Sequence, residues 1–249
     1  MRLLKSAARR LIVPMDTNVY GQPIGHRVPD WTSRSHPPST PMVGAHVVVE
    51  RLDPKHHADG LFDAYRLDPG SMWTYLPYGP FDRSEFDTWL DSWSGSLDPM
   101  FHAIVDAASD RALGLASFLR INSAIGSIEV GHISYSPLLA RTAGATEAMW
   151  LMMRRVFGEL GYRRYEWKCD ALNAASRAAA ARLGFIYEGT FRNHTIYKER
   201  NRDSAWFAVT DTDWPLLDTA FRAWLDPANL EGGIQRRSLS QIRSDLTAA

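Results

Sequence analysis

Three stretches of the chain carry residue types at spacings that could do chemistry. The first is Tyr135 to Gly161, Y-S-P-L-L-A-R-T-A-G-A-T-E-A-M-W-L-M-M-R-R-V-F-G-E-L-G. A strand-like run, Ile128 to Tyr135, stops at Pro137, and small residues fill Ala140 to Ala145. Met149, Met152, Val156 and Leu160 then recur at helical spacing, with Arg154, Arg155 and Glu159 on the polar side and Gly161 as the stop. A small-residue loop between strand and helix can aim backbone N–H groups and the positive end of the helix dipole at one point, which is a place to hold a phosphate. An ordinary tight turn has the same composition. The second stretch, Ser71 to Phe81, is broken by Pro77, Gly79 and Pro80 and carries Trp73, Tyr75, Tyr78 and Phe81. Aromatics on such a loop form either a binding wall or a plug over apolar core. The third is His56-His57, near the start of a predicted helix. Adjacent helical positions point ~100° apart, a poor arrangement for a shared metal, so both are expected at the surface and no metal is expected.

The elements that must position these groups are legible from periodicity. The chain has 249 residues, no net formal charge and a single cysteine, Cys169. It is long enough for one large domain or two small ones. The charge balance gives no global field for nucleic acid. No intrachain disulfide is possible, which is compatible with a reducing, cytoplasmic compartment. No apolar run approaches the ~18 residues of a membrane span. Met1 to Met15 reads as a basic extension, and Pro14, Pro23, Pro29, Pro37, Pro38 and Pro41 exclude regular structure from most of an arm, 1–44. A strand, His46 to Leu52, leads into a helix capped by Asp53 with Pro54 at its first position. Arg83 to Ser94 is a second helix. Met100 to Ala107, Ala112 to Ile121 and Ser127 to Tyr135 read as an antiparallel meander with turns between. Tyr162 to Ala171 alternates Tyr165, Trp167 and Cys169 with Arg164, Glu166 and Lys168. Asn173 caps a helix, Ala174 to Leu183, that Gly184 ends. Two last strands, Phe185 to Lys198 and Asp203 to Thr210, flank a charged turn, E-R-N-R-D. A helix over Asp213 to Leu225 and an amphipathic tail with Leu239, Ile242 and Leu246 on one face close the chain.

This order of elements, with R-T-A-G-A-T-E-A (Arg141 to Ala148), D-A-L-N-A-A-S (Asp170 to Ser176), R-L-G-F-I-Y-E-G (Arg182 to Gly189) and R-D-S-A-W-F (Arg202 to Phe207), resembles the GCN5-related N-acetyltransferases (GNAT). It looks most like the RimJ and RimL branch, which acts on ribosomal-protein N-termini. The resemblance covers Ala45 to Pro215. It divides the chain into the arm, a transferase domain over 45–215 and a C-terminal helical extension over 216–249. It implies an α/β (α+β) fold: a mixed, mostly antiparallel sheet of about seven strands flanked by helices, with strands 4 and 5 splayed. The family's phosphate loop is usually Q/R-x-x-G-x-G/A. Arg141 and Gly144 occupy its first and fourth positions, and Thr146 stands where Gly or Ala is usual.

The resemblance further implies acetyl-coenzyme A, lying between the strand that ends at Tyr135 and the strand Tyr162 to Ala171. The residues it would assign to the cofactor are Ile133, Tyr135, Arg141, Thr142, Ala143, Gly144, Ala145, Thr146, Asn173 and Ser176. Acetyl transfer to an amine needs a proton acceptor, a polarised carbonyl and close positioning, but no metal or covalent nucleophile. The chain accordingly has no H-E-x-x-H, paired C-x-x-C or G-x-S-x-G. Glu129, matching the RimL-like base, is the candidate general base; the alternative is a structural partner for an arginine such as Arg163 or Arg192. Ser176, matching the RimL-like N-x-x-S, is the candidate acid; the alternative is a helix cap or a contact to the cofactor sulfur. Tyr135 and His132 are lesser candidates, and Cys169 is expected to pack. Trp73, Tyr75, Tyr78 and Trp167 would flank the acceptor. Arg192, His194, Lys198 and Arg200 either meet an acidic acceptor or belong to a solvated hairpin. The expected partner is an amine-bearing small molecule or a peptide N-terminus, with no nucleic acid and no membrane, and a homodimer is left open. A non-catalytic acyl-CoA-binding interaction module is the competing reading.

Overall fold

The computed structural model describes residues 16–232 and 234–248, so the basic extension expected over 1–15 lies outside it. Among the described residues, those from 16 to 32 and those from Ser33 onward form two compact units. In the first, Asp16–Thr17 and Pro23–Ile24 pair as a short antiparallel hairpin. Asn18 closes its turn by accepting the Tyr20 and Gln22 N–H groups, each at 3.0 Å.

The second unit is built on an eight-stranded sheet. Its strands in chain order are β1 (Met42–Val43), β2 (Val47–Arg51), β3 (Met100–Asp106), β4 (Arg111–Asn122), β5 (Ser127–Tyr135), β6 (Arg164–Asp170), β7 (Ile186–Tyr197) and β8 (Arg200–Thr210). Their order across the sheet is β1-β2-β3-β4-β5-β6-β8-β7. Every neighbouring pair is antiparallel except β5–β6. The expected meander is β3-β4-β5. The strand beyond the expected seven is β1, two residues after Pro41 that pair with Val48 and Val49 and are too short to show a period.

Helices cover both faces because β-strand side chains alternate. On β3, Phe101, Ala103 and Val105 join Leu61 and Tyr65 of α1 (Pro54–Tyr65) and Phe86 and Leu90 of α2 (Arg83–Ser92) in one core. Met100 and Ile104 point the other way, into a core with Met149 and Met152 of α3 (Ala143–Arg154) and Phe221 of α5 (Trp214–Leu225). The helix α4 (Ala174–Leu183) follows β6, and Leu239 and Ile242 of α6 (Leu239–Ala248) are buried in the same core as α5. Asp53 caps α1 through the Lys55 N–H at 3.0 Å, as expected. A π-helical turn, Arg155–Glu159, carries α3 on to Gly161. Arg155, expected on the polar face, is instead buried there, its guanidinium bonded to carbonyls of Pro38, Thr40 and Pro41.

The histidine pair departs from its expected place. His56 is exposed, but His57 is buried. The Asp53 N–H donates to His57 Nδ1 at 3.0 Å, and His57 Nε2 meets Glu50 Oε1 at 2.9 Å. The helix start thus turns His57 back onto β2. Glu50, His56 and His57 bring three ligand-type atoms within 4.8 Å of one another. With Nδ1 accepting a backbone N–H, however, Nε2 carries the proton and donates to Glu50, so the lone pair a cation needs is not presented.

Buried histidines set an acid limit on stability. Burial lowers His102 from its ordinary 6.5 to about 3 and His132 to about 4. Both are neutral in the fold, whereas an unfolded histidine takes up a proton near pH 6.5. Their stabilising contribution is therefore complete above pH 6.5 and lost as pH falls through the folded values, with a slope of up to ~1.4 kcal/mol per pH unit for each. Urea midpoints are expected to drop between pH 7 and pH 5, and the drop is expected to shrink in His102→Gln. Equal pH dependence in that variant would remove His102 from the account.

Candidate active site

The site is assembled where the sheet's parallel pair comes apart. Pairing between β5 and β6 runs from Ser127↔Arg164 to Val130↔Trp167 and stops, although β5 continues to Tyr135 and β6 to Asp170. A bulge explains the parting. Three residue steps on β5, Gly131 to Ser134, face two on β4, Ser117 to Leu115. His132, inside the bulge, is left-handed with φ 50°. An extra residue bends and twists its strand, which turns the end of β5 away from β6.

A cavity of about 510 Å³ fills the opening. Glu129 and Ile133 from β5, Trp167 and Lys168 from β6, and Asn173 and Ser176 from α4 line it. The loop through Tyr75 and the hairpin β7–β8 complete the wall. These two walls are tied to the body and to each other. Tyr75 donates its hydroxyl to the Leu172 carbonyl at 3.2 Å, and Lys198 Nζ donates to the Trp73 carbonyl at 2.8 Å.

Glu129 is buried, 3% exposed, and is held by two cations. Arg120 Nη1 and Lys168 Nζ each lie 2.8 Å from its Oε2. Lys168 also reaches Glu166 at 2.9 Å and sits 3.6 Å from the centre of the Trp206 ring. Burial, the largest influence, pushes the Glu129 carboxyl above its ordinary value, while Lys168 and Arg120 pull it back. The cationic partners are therefore Arg120 and Lys168, not Arg163 or Arg192. Lys168 could have been suspected from its alternation with Glu166. Arg120 carried no signal, because its place depends on the β4–β5 register.

At the start of α4, Asn173 Oδ1 accepts the Ser176 N–H at 3.0 Å, and Ser176 Oγ accepts the Trp167 indole N–H at 2.9 Å. Ser176 thus serves the helix cap through its backbone and also lines the cavity. Cys169 is buried beside it, and burial pushes its thiol up, away from nucleophilic character.

The other end of the opening is the start of α3. The loop expected through Ala145 is shorter, because Thr142 caps the helix by accepting the Ala145 N–H at 3.1 Å. Ala143, Gly144, Ala145 and Thr146 form the first turn, whose N–H groups lack intrahelical acceptors. Arg141 before it is left-handed, φ 66°. A Cβ on Gly144 would lie 2.8 Å from Val47 Cγ1, so glycine lets this turn rest on β2. Tyr135 reaches the same place, donating its hydroxyl to the Ala145 carbonyl at 3.4 Å, and burial raises its phenol well above the ordinary value. Thr146 Oγ1 accepts from Arg182 at 3.1 Å.

The structure therefore brings Glu129, Ile133, Trp167, Asn173, Ser176 and Tyr75 onto one cavity. It places Tyr135 and 141–146 at the α3 mouth, outside that lining. Trp73 and Tyr78 do not line the cavity either. Trp73 is buried edge-on between Tyr65 and Phe81, each ring 5.4 Å away, and Gly79 packs against its indole. Tyr78 meets His132 Nδ1 through its hydroxyl at 3.0 Å. These two aromatics plug the core under the loop while Tyr75 faces the cavity.

Comparison with known proteins gives a consistent picture. The family model of the acetyltransferase (GNAT) domain matches residues 46–186. A GCN5-related N-acetyltransferase from Brucella melitensis is similar over 87% of this chain and 100% of its own, with 44% identity and a TM-score of 0.85. A GNAT-family acetyltransferase structure from Chromobacterium violaceum is 40% identical over 78% of this chain and 98% of its own, TM-score 0.72. An acetyltransferase from Salmonella typhimurium, described as modifying the N-terminal serine of a 50S ribosomal subunit protein, shares the fold at 16% identity, TM-score 0.59, over 69% of this chain and 99% of its own. No curated protein matches the chain.

Proposed function

Because this chain belongs to the GNAT acetyltransferases, we propose that it moves the acetyl group of acetyl-coenzyme A to a primary amine, with Glu129 as general base. The observation that carries this reading is a buried carboxylate of raised pKa in a cavity that opens where β5 and β6 part. The chain's own residues suit the cofactor. The first turn of α3 offers backbone N–H groups toward an anion, and Gly144 keeps that turn tight on β2. The Asn173 side chain uses its oxygen in the cap and keeps its NH₂ to donate.

Acetyl-coenzyme A supplies an activated thioester. In the transfer the C–S bond breaks and a C–N amide bond forms, the amine loses a proton and the sulfur ends as a thiol. Glu129 takes the amine proton, directly or through a water. Ser176 Oγ passes a proton to the departing sulfur and regains one from water, while Glu129 releases the amine proton to water. Trp167 fixes the hydroxyl, because its indole occupies one lone pair and leaves the O–H to point elsewhere. Tyr75 and the β7–β8 hairpin wall the site. A peptide N-terminus, the acceptor class of the RimJ and RimL branch, and a small amine both remain within this reading.

The test is release of free thiol from acetyl-coenzyme A across a panel of amines and peptides. Coenzyme A binding without turnover over the whole panel would overturn it in favour of a binding module. Ser176→Ala is expected to lower kcat roughly tenfold, less than the ~10²–10⁴ of an essential acid or base, because a thiolate departs with little help. An unchanged kcat would leave Ser176 with its cap and no proton role.

A further inference from the structure

We propose that the acceptor amine also carries an oxyanion, a carboxylate or phosphate, and that Arg202 binds it. The proposal rests on the transferase reading above and deepens it by naming the acceptor's class. It starts from the charges around the cavity. Arg120 and Lys168 are committed to Glu129. Asp170 accepts the Tyr197 hydroxyl at 2.9 Å and the Leu172 N–H at 2.8 Å. His132 is neutral.

Arg202 is different. It lines the same cavity, and among the described residues its guanidinium makes neither an ion pair nor a hydrogen bond. Its Nε is buried without a partner, and its guanidinium lies 5.5 Å from the centre of the Tyr197 ring. A buried donor without an acceptor is uncommon enough to need a reason. A guanidinium has five N–H donors in a planar fork that matches a carboxylate or phosphate, so an oxyanion would satisfy the orphaned side.

The hairpin explains how the arginine comes to be there. The turn is tighter than the charged run E-R-N-R-D suggests. Lys198 and Glu199, both left-handed, make it alone, which places Arg202 within β8. Pairing of β8 with β6 ends at Ser204↔Asp170, so Arg202 is carried past the end of β6, paired only with Thr195 of β7. A register shift between Arg202 and Ser204 frees it further. The strand β6 lies between the strands carrying Glu129 and Arg202. The acceptor's amine and oxyanion must therefore be several bonds apart, as in an ω-amino acid or an acidic peptide, and not on one carbon as in an α-amino acid.

The experiment uses two matched pairs: 6-aminohexanoate against n-hexylamine, and the peptide Ser-Ala-Asp amide against Ser-Ala-Asn amide. The acidic member of one pair is expected to exceed its neutral partner in kcat/KM by at least about tenfold, the pair that responds identifying the source. The ratio is expected to fall to about one in Arg202→Gln and to be partly kept in Arg202→Lys. A ratio near one in the wild type, or an undiminished ratio in Arg202→Gln, overturns the proposal. Should no amine be turned over, the transferase reading fails by itself. The same pairs are then compared by tryptophan-fluorescence titration, where tighter binding of the acidic members that disappears in Arg202→Gln sustains the oxyanion site and equal binding removes it.

Discussion

Glu129→Gln is expected to reduce kcat/KM for acetyl transfer by ~10²-fold or more, the scale on which a general base acts. The amide keeps the shape of the carboxylate but removes both its charge and its ability to take a proton. The fold is expected to survive, because Lys168 retains Glu166 at 2.9 Å and the Arg120 side chain is 58% exposed, so neither cation is stranded. The pH profile separates a base from a mere charge. Burial holds the Glu129 carboxyl above its ordinary value. The wild-type rate should therefore fall on the acid side at a pH higher than an exposed glutamate would give, as the base becomes protonated. That acid limb should vanish in the variant. Undiminished turnover in Glu129→Gln, or an acid limb that persists, would remove Glu129 from the role and leave it as the anchor of Arg120 and Lys168.

Glu147→Ala is expected to destabilise the protein by several kcal/mol. This buried carboxylate accepts the N–H groups of Ala45 at 2.8 Å, His46 at 2.6 Å and Val47 at 3.0 Å. Gly44 lies so close that a Cβ there would stand 2.4 Å from the carboxylate carbon. Removing the side chain leaves three backbone donors short of an acceptor, at about 1–3 kcal/mol for each one that stays dry. For a chain of this size each kcal/mol is worth about 2–4 °C in Tm, so a fall on the order of 10 °C is the outcome to look for by thermal melting. The effect should reach the site as well. Glu147 fixes the first turn of α3 to β2, and loosening it should raise KM for acetyl-coenzyme A. A Tm within about 2 °C of wild type would show that water replaces the carboxylate at little cost.

Glu147 also marks the limit of what could be read in advance. The helix it belongs to was plain from the spacing of Met149, Met152 and Val156, all buried as the period requires. Its role was not, since its partners lie about a hundred residues earlier in the chain. His57 failed for the same reason: a helical position was read from its neighbours, while Glu50 on the preceding strand decided its burial. Trp73, Tyr75 and Tyr78 could not be sorted by composition. One loop carries all three, and only its path over α1 and α2 sends Trp73 into the core and Tyr75 to the cavity.

By itself the sequence determined the order of strands and helices, their caps and the residues that could hold an anion or a proton. These follow from local rules: periodicity of 2 or 3.6, and the needs of orphan N–H groups at a helix start. Tertiary structure decided which charges meet. Arg120 and Lys168 on Glu129, and Arg202 without an acid among the described residues, depend on the bulge at His132, the register of β8 on β6 and the point where β5 leaves β6. Register and bulges are settled by contacts between strands far apart in sequence, and no local pattern encodes them.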